Sequence, residues 1–300
     1  MVFNLGLIGY PLGHSLSPKI HRAALDSCGL KGDYSLYLIH PEDYQGLKNL
    51  LARVRSGQIT GLNVTIPHKQ SVIPLLDGLT LTAQAIGAVN TISLKNGQLI
   101  GENTDAPGFL ADLRKFFCAT DFGSLSSRLH DENPLQKTSE VFKNALVLGA
   151  GGSARAVVYA LAYDGWNIKI ASRRPEQAQT LIEQVSSLDF PISRVEYHPT
   201  ALQSLIPTLS LIVNTTPLGM TPNGDASPWP DNLPFPPYAA VYDLVYNPRE
   251  TKLVDAACKA GLPATTGLGM LIEQAALSFE IWTGYIPQRD VLWKTVDSKS

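Results

Sequence analysis

Short apolar runs that read as strands alternate with amphipathic helical segments along most of the chain, and this alternation restricts the fold more than any other feature. Residues 3–8, 34–39 and 61–66 read as strands, separated by helices at 18–29 and 41–55. The second helix carries Leu47, Leu50, Leu51 and Val54 at helical spacing. Residues 71–87 read as mostly helical. AVNTISLKNGQLIGEN then reads as a hairpin turning at Lys95–Asn96–Gly97. After Pro107, the periodic Phe109, Leu110, Leu113, Phe116 and Phe117 predict another helix. Strands joined through helices pair in parallel, and the crossovers cover both sheet faces. The class is therefore α/β, with largely parallel sheets.

The rhythm breaks at 119–144, a polar stretch of mixed charge that reads as a linker or surface excursion between two domains. It then restarts with ALVLGAG as strand, SARAVVYALAYDG as helix ending near Gly165, NIKIASR as strand and PEQAQTLIEQVSS as helix. SLIVNTTP and AVYDLVY give two more strands, and 268–283 a helix containing Met270, Leu271, Gln274, Ala275 and Leu277.

Composition narrows the function classes. The chain has 300 residues, 44% hydrophobic and 17% charged, which suits a sizeable core in one large or two ordinary domains. A net charge of −2 offers no global field for nucleic acid or an anionic membrane. Cys28, Cys118 and Cys258 are far apart, odd in number and without metal-ligand spacing, which points to a reducing compartment and away from structural zinc. MVFNLGLIGYPLG lacks the basic flank and length of a signal peptide, and no apolar run is long enough to span a bilayer. The expectation is a cytoplasmic protein acting on small molecules, with no nucleic-acid, membrane or metal partner. Its oligomeric state is left open, a homodimer included.

VLGAGGSARAV matches G-x-G-x-x-A at Gly149, Gly151 and Ala154, after an apolar strand and opening an Ala-rich helix. The first glycine permits a tight turn, and the second lets backbone approach a pyrophosphate. The alanine keeps helix and strand close, while the helix N-terminus faces phosphate charge. The next strand ends in Ser172-Arg173-Arg174. An NAD site usually has an acidic residue there for the ribose 2′-hydroxyl; two guanidiniums suit the 2′-phosphate of NADP.

Three further stretches present polar groups at element ends. In GHSLSPKIH, Ser17 before Pro18 has the form of an N-cap, and Ser15 adds a second hydroxyl at a helix start, a place suited to a carboxylate. GLNVTIPHK ends a strand with Asn63, Thr65, His68 and Lys69, for which a solvated strand end is the bland reading. IGENTDAPG sets Asn103, Thr104 and Asp105 before a helix, where a cap is the bland reading of Asp105; GAVNT supplies Asn90, for which the bland reading is a turn residue.

GHSLSP, NVTIPHK, GAVNT, ENTDAPG, GAGGSARA, NTTPLGM, YDLVYNP and GLGMLIEQAA occur in one order over almost the whole chain. Together they resemble the shikimate dehydrogenase family, NADP-dependent enzymes of aromatic amino-acid biosynthesis. The resemblance implies two α/β domains with a cleft between them. One is a substrate domain of residues 1–105 with the C-terminal helices of 267–300; the other is a Rossmann-like NADP domain over 106–266. It implies that Ser15 and Ser17 bind the carboxylate of shikimate or 3-dehydroshikimate. Asn63, Thr65, Asn90 and Asp105 would bind ring hydroxyls or shape the pocket, with Tyr246 and Gln274 facing the substrate. Lys69 would be the catalytic acid/base, held by Asp105. Gly149, Ala150, Gly151, Gly152 and Ser153 match the cofactor loop, and Ser172, Arg173 and Arg174 its phosphate site. Thr215, Thr216, Leu244 and Gly267 fall where the family lines the cofactor. The visible departure is Ser172-Arg173-Arg174, where many members have Asn-Arg-Thr; the segment 119–144 also looks longer than usual. Three rivals stand at this point: a quinate or dual quinate/shikimate dehydrogenase, a non-catalytic NADP-binding metabolite sensor, and a methylene-tetrahydrofolate dehydrogenase-like enzyme.

Overall fold

A computed structural model describes residues 1–120, 143–185 and 190–297. The interruption at 119–144 lies largely outside the described residues. In chain order the elements are β1 (Val2–Gly9), α1 (Ser17–Ser27), β2 (Lys31–Leu38), α2 (Tyr44–Arg55), β3 (Gly61–Val64), a 3-10 turn (Ile73–Leu75), β4 (Gly78–Leu79), α3 (Leu81–Ile86), β5 (Thr91–Lys95), β6 (Gln98–Glu102) and α4 (Asp105–Ala119). There follow β7 (Asn144–Leu148), α5 (Gly152–Tyr163), β8 (Asn167–Ser172), α6 (Pro175–Val185), β9 (Ile192–Glu196), α7 (Pro199–Gln203), a 3-10 turn (Ile206–Thr208), β10 (Leu211–Asn214), β11 (Ala240–Asp243), α8 (Lys252–Lys259), β12 (Ala264–Thr266), α9 (Leu268–Thr283) and α10 (Arg289–Asp297). They form two compact units, Met1–Gly108 with Leu271–Ser300, and Phe109–Met270.

The first unit holds a six-stranded sheet in the order β2-β1-β3-β5-β6-β4. Parallel pairing joins β1 to β2 and β3, as helices α1 and α2 connect them. The sheet is mixed rather than largely parallel, because β5 and β6 form the expected hairpin and β5 also runs antiparallel to β3. Asn96 and Gly97 both take positive φ at its turn, which allows the strand twist to continue through a two-residue loop. On one sheet face the α2 stripe Leu47, Leu50, Leu51 and Val54 packs with Ile8, Leu62, Val64 and Ile92. On the other, His21 of α1 stacks on Tyr34 with ring centroids 4.4 Å apart and meets Phe279 and Trp282 of α9.

Two expectations need correction here. Residues 71–87 are only partly helical: Pro74 lies in the 3-10 turn, Gly78 enters β4, and the helix begins only where the Thr80 hydroxyl caps the Ala83 N–H. Ser17 is not the N-cap of α1. It is the first residue of the helix, Leu16 occupies the cap without a side-chain bond, and the Ser15 hydroxyl accepts the Ser17 N–H at 3.3 Å.

The second unit has an all-parallel sheet in the order β12-β11-β10-β7-β8-β9. From β7 the chain winds outward through β8 and β9, then returns to β10 on the other side of β7. The winding reverses between β7 and β10, where open α/β sheets leave a crevice at their strand C-termini. The short strands β9 and β12 escaped the sequence reading; neither has buried residues, so neither has a strong apolar pattern.

Candidate active site

In the first unit, the residues picked from four separate motifs meet at the C-terminal end of β3. After Val64 the chain leaves the strand, and Thr65 remains half-buried, its N–H donating to the Ile8 carbonyl at 2.9 Å. The turn that follows is pinned at two points. The Val89 N–H donates to the Lys69 carbonyl at 2.7 Å. The His68 ring is 2% exposed, with Nε2 2.7 Å from the Ile39 carbonyl and Nδ1 3.2 Å from the Ser71 hydroxyl. A carbonyl only accepts, so Nε2 carries the proton, and His68 is occupied holding the turn.

Lys69 Nζ donates to Asp105 Oδ2 at 2.6 Å; the side chains are 13% and 7% exposed. Asp105 opens α4, where Asn103 Oδ1 accepts the N–H groups of both Asp105 and Ala106 and so fixes the helix start. The other carboxylate oxygen receives Asn90 Nδ2 at 2.9 Å. Asn90 cannot turn over, because its Oδ1 accepts the Thr104 backbone N–H at 2.7 Å. Its Nδ2 is also 3.2 Å from Gln274 Oε1 on α9. Gly108 lets α4 approach there: a Cβ on it would stand 2.8 Å from the Gln274 backbone nitrogen.

Asn63 is 5% exposed and fully engaged: Oδ1 accepts the Tyr34 hydroxyl at 2.8 Å, and Nδ2 faces the Asn90 carbonyl, Thr91 and Ser278. Ser15 is half-buried and Ser17 buried at the start of α1.

In the second unit the glycine-rich turn follows β7. Gly149 has φ +111°, and a Cβ there would come 2.5 Å from the Thr215 hydroxyl, so the position requires glycine. Ala150 is buried beside it. Gly151 caps α5 with no side-chain bond, and a Cβ on it would meet nothing within 4 Å. The open space beside Gly151 at the start of α5 fits a phosphate cradle.

The neighbouring strand ends complete the crevice. Thr215 Oγ1 donates to the Leu148 carbonyl at 2.7 Å, and the N–H and hydroxyl of Thr216 both donate to Asn214 Oδ1. Asn214 Nδ2 donates to Asp243 Oδ1 at 2.7 Å. Asp243 also accepts from Thr251 Oγ1 and the Val245 N–H, yet burial pushes its carboxyl up to about 6. This lattice shapes the turns that carry Thr215, Thr216, Leu244 and Tyr246. Burial raises the Tyr246 phenol. Gly267 lies against the Leu244 carbonyl, where any side chain would collide.

Ser172 Oγ accepts the Arg174 N–H at 3.2 Å, turning the chain at the end of β8. Arg173 and Arg174 are exposed, and neither makes an ion pair among the described residues.

The sequence reading missed Tyr34, Thr91, Asn214, Asp243 and Ser278 as parts of these networks. Ser278 left a signal: it stands four residues after Gln274, on the same helical face of an otherwise apolar segment. Tyr34 left none.

The arrangement matches known proteins along its length. A profile of the shikimate dehydrogenase substrate binding domain matches residues 7–92, and one of the shikimate 5′-dehydrogenase C-terminal domain matches residues 267–296. The shikimate dehydrogenase (NADP+) of Methanococcus maripaludis strain C7 is 38% identical, covering 98% of this chain and 96% of that relative. The crystal structure of shikimate 5-dehydrogenase from Thermus thermophilus in complex with NADP(H) and shikimate superposes with a TM-score of 0.77 at 35% identity, over 98% of each chain. Quinate dehydrogenase from Corynebacterium glutamicum in complex with NAD superposes with a TM-score of 0.79 at 30% identity, over 99% of this chain and 98% of that one.

Proposed function

This chain belongs to the shikimate dehydrogenase family, and from that premise we propose that it catalyses the reversible reduction of 3-dehydroshikimate to shikimate with NADPH, in the shikimate pathway. The observation that carries the reading is the Lys69–Asp105 contact at 2.6 Å, in a place mostly withdrawn from solvent. Hydride addition to a ring ketone gathers negative charge on its oxygen. A positioned ammonium stabilises that charge and donates the proton; in reverse, the same nitrogen accepts it. Asp105 holds Lys69 on one carboxylate oxygen while Asn90 anchors the other, so the ammonium keeps its direction through both half-reactions. Gln274, whose Oε1 lies 3.2 Å from Asn90 Nδ2, is assigned a place beside the reacting ring. Thr65 faces a ring hydroxyl, and Asn63, its amide engaged within the protein, shapes the wall. Ser15 and Ser17 take the carboxylate.

The first unit is assigned to the substrate and the second to the cofactor. NADP, when bound, supplies or accepts the hydride. Gly149 to Ser153 hold its pyrophosphate, and Arg173 and Arg174 take the 2′-phosphate. Thr215, Thr216, Leu244 and Gly267 are assigned to the rest of the cofactor, and Tyr246 to substrate binding. We place the protein in the cytoplasm, consistent with three free cysteines. No helix among the described residues is long and apolar enough to cross a membrane.

The test is nicotinamide reduction by the purified protein with shikimate and quinate in parallel, each with NADP and NAD. Turnover of shikimate with NADP is expected to have the highest kcat/KM. Absence of turnover with either acid would favour the sensor reading, and a preference for quinate with NAD would reassign the substrate.

A further inference from the structure

Behind the residues assigned to the substrate, a buried serine joins four of the segments that build the site. Ser278 on α9 is fully buried. Its Oγ donates to the Gln274 carbonyl, one turn back, at 3.0 Å. A hydroxyl has a single proton, so toward the sheet this oxygen acts as an acceptor. Three groups surround it, Asn63 Nδ2 at 3.0 Å, Thr91 Oγ1 at 2.7 Å and Thr104 Oγ1 at 3.0 Å, and its two lone pairs accept from two of them at a time.

Backbone groups fix the orientation of the two amides, and with it the direction of the bonds between them. Asn63 must point its NH2 inward, because that nitrogen also faces the Asn90 carbonyl. Asn90 must point its oxygen at the Thr104 backbone N–H, leaving its NH2 for Asp105 Oδ1 and for Thr104 Oγ1 at 2.9 Å. Thr104 can accept from Asn90 while its own proton goes on to Ser278. The result is one directed chain: Asn90 donates to both Asp105 and Thr104, Thr104 to Ser278, and Ser278 to the Gln274 carbonyl. Gln274 is held from the same helix, its Nε2 donating to the Leu271 carbonyl at 2.8 Å.

We propose that Ser278 is a positioning residue for the reaction: it fixes the direction of this chain, and so the orientation of Asn90 toward Asp105 and of Asp105 toward Lys69. Ser278 touches no reacting atom; it acts through Thr104, Thr91 and Asn63. Without it, the Thr91 and Thr104 hydroxyls lose their shared acceptor. Both then compete for Asn90 Oδ1, which lies 3.1 and 3.2 Å from them. The anchor of the Asn90 amide loosens as a consequence.

The inference rests on the proposed dehydrogenase reading, and the experiment separates the two. Wild type, Ser278→Ala, Ser278→Thr, Thr91→Val and the Ser278→Ala/Thr91→Val double variant are assayed with shikimate and NADP, with thermal melts alongside. Ser278→Ala should lower kcat by roughly 10- to 100-fold, the scale set by small misplacement of catalytic groups, with KM for NADP unchanged. Ser278→Thr, which keeps the hydroxyl, should recover most of kcat. Thr91→Val should lower kcat severalfold, and the double variant should be no slower than Ser278→Ala, since coupled members of one network are not additive. A Ser278→Ala enzyme with a lower melting temperature but kcat within about twofold of wild type overturns the proposal. If that variant does not fold, wild-type kcat in Thr91→Val overturns it instead. A wild-type protein with no shikimate turnover defeats the dehydrogenase reading itself.

Discussion

The proposed acid/base step is assigned to Lys69. Lys69→Ala should lower kcat by roughly 10²–10⁴-fold, the usual effect of removing a general acid/base. NADP affinity, measured by titration, should stay at the wild-type value, because the cofactor is assigned to residues of the other unit. The arginines are a weaker lever. Arg173 and Arg174 are exposed, and a charge-assisted bond there is partly screened. Arg173→Gln and Arg174→Gln should each raise KM for NADP by roughly tenfold or less, with NAD use little changed. Equal kcat/KM for NAD and NADP in the wild type would contradict their role. His21 makes a pH prediction whose sign follows from burial. Its ring is fully buried, neither nitrogen makes a well-formed hydrogen bond among the described residues, and desolvation, opposed only in part by the nearby Asn63 side chain, lowers its pKa to about 3. The folded state keeps it neutral, whereas the unfolded chain takes up the proton below its ordinary 6.5. Stability is therefore lost as pH falls below 6.5, by about 2 kcal/mol between roughly pH 7.5 and 5. Asp243, raised to about 6, works in the opposite sense, gaining stability as pH falls from about 6 to 4. The clean measurement is thus the difference in urea-unfolding free energy between wild type and His21→Phe across this range. An unchanged pH slope would refute the assignment. Of these residues, Lys69 and the arginines were legible from motifs; His21 was not, since its meaning lies in the stacked ring of Tyr34 and the tilted ring of Trp282 around it.

Helix starts and strand ends do most of the positioning, and the α1 start separates binding from folding. Ser17 makes no cap bond. Ser17→Ala should therefore raise KM for shikimate while leaving unfolding free energy within about 0.5 kcal/mol of wild type. Ser15→Ala removes the acceptor of the Ser17 N–H and should cost about 0.5–1 kcal/mol of stability besides weakening substrate binding. A variant of Ser17 that melts early with unchanged KM would reverse this division. At the β7–α5 turn, Gly149→Ala places a methyl against Thr215 at positive φ. That should cost about 1–3 kcal/mol and lower NADP affinity more than tenfold, read by cofactor titration. The glycine turn and the hairpin at Asn96–Gly97 were plain in the sequence, because such turns are specified by residues in succession. The break of residues 71–87 into turn, strand and helix was not, because β4 exists only by pairing with β6.

For the whole molecule, ligand binding offers a direct test of the assignment of functions to the two units. NADP at about 100 times its Kd should stabilise the wild type by roughly 2.7 kcal/mol through mass action. Lys69→Ala should gain the same increment, and Gly149→Ala no more than about half of it, since a tenfold loss of affinity leaves about 1.4 kcal/mol at that concentration. Loss of the increment in Lys69→Ala would argue against the assignment. The sequence by itself determined the α/β class, the restart of the strand–helix alternation, the glycine turn and the motifs whose residues the fold gathers around Lys69 and Asp105. These follow from periodicity, turn chemistry and short motifs, all of which act between near neighbours in the chain. Only the tertiary structure decided that one sheet is mixed, that His68 is occupied in holding its turn, and that Ser278 closes the network behind Asp105. It also decided that the Asn63 amide is engaged by Tyr34 and by Ser278, the latter 215 residues away. Hydrogen bonds at such separation leave no period and no spacing in the sequence; their partners are chosen by the packing of α9 against β3 and β5, which exists only once the chain has folded.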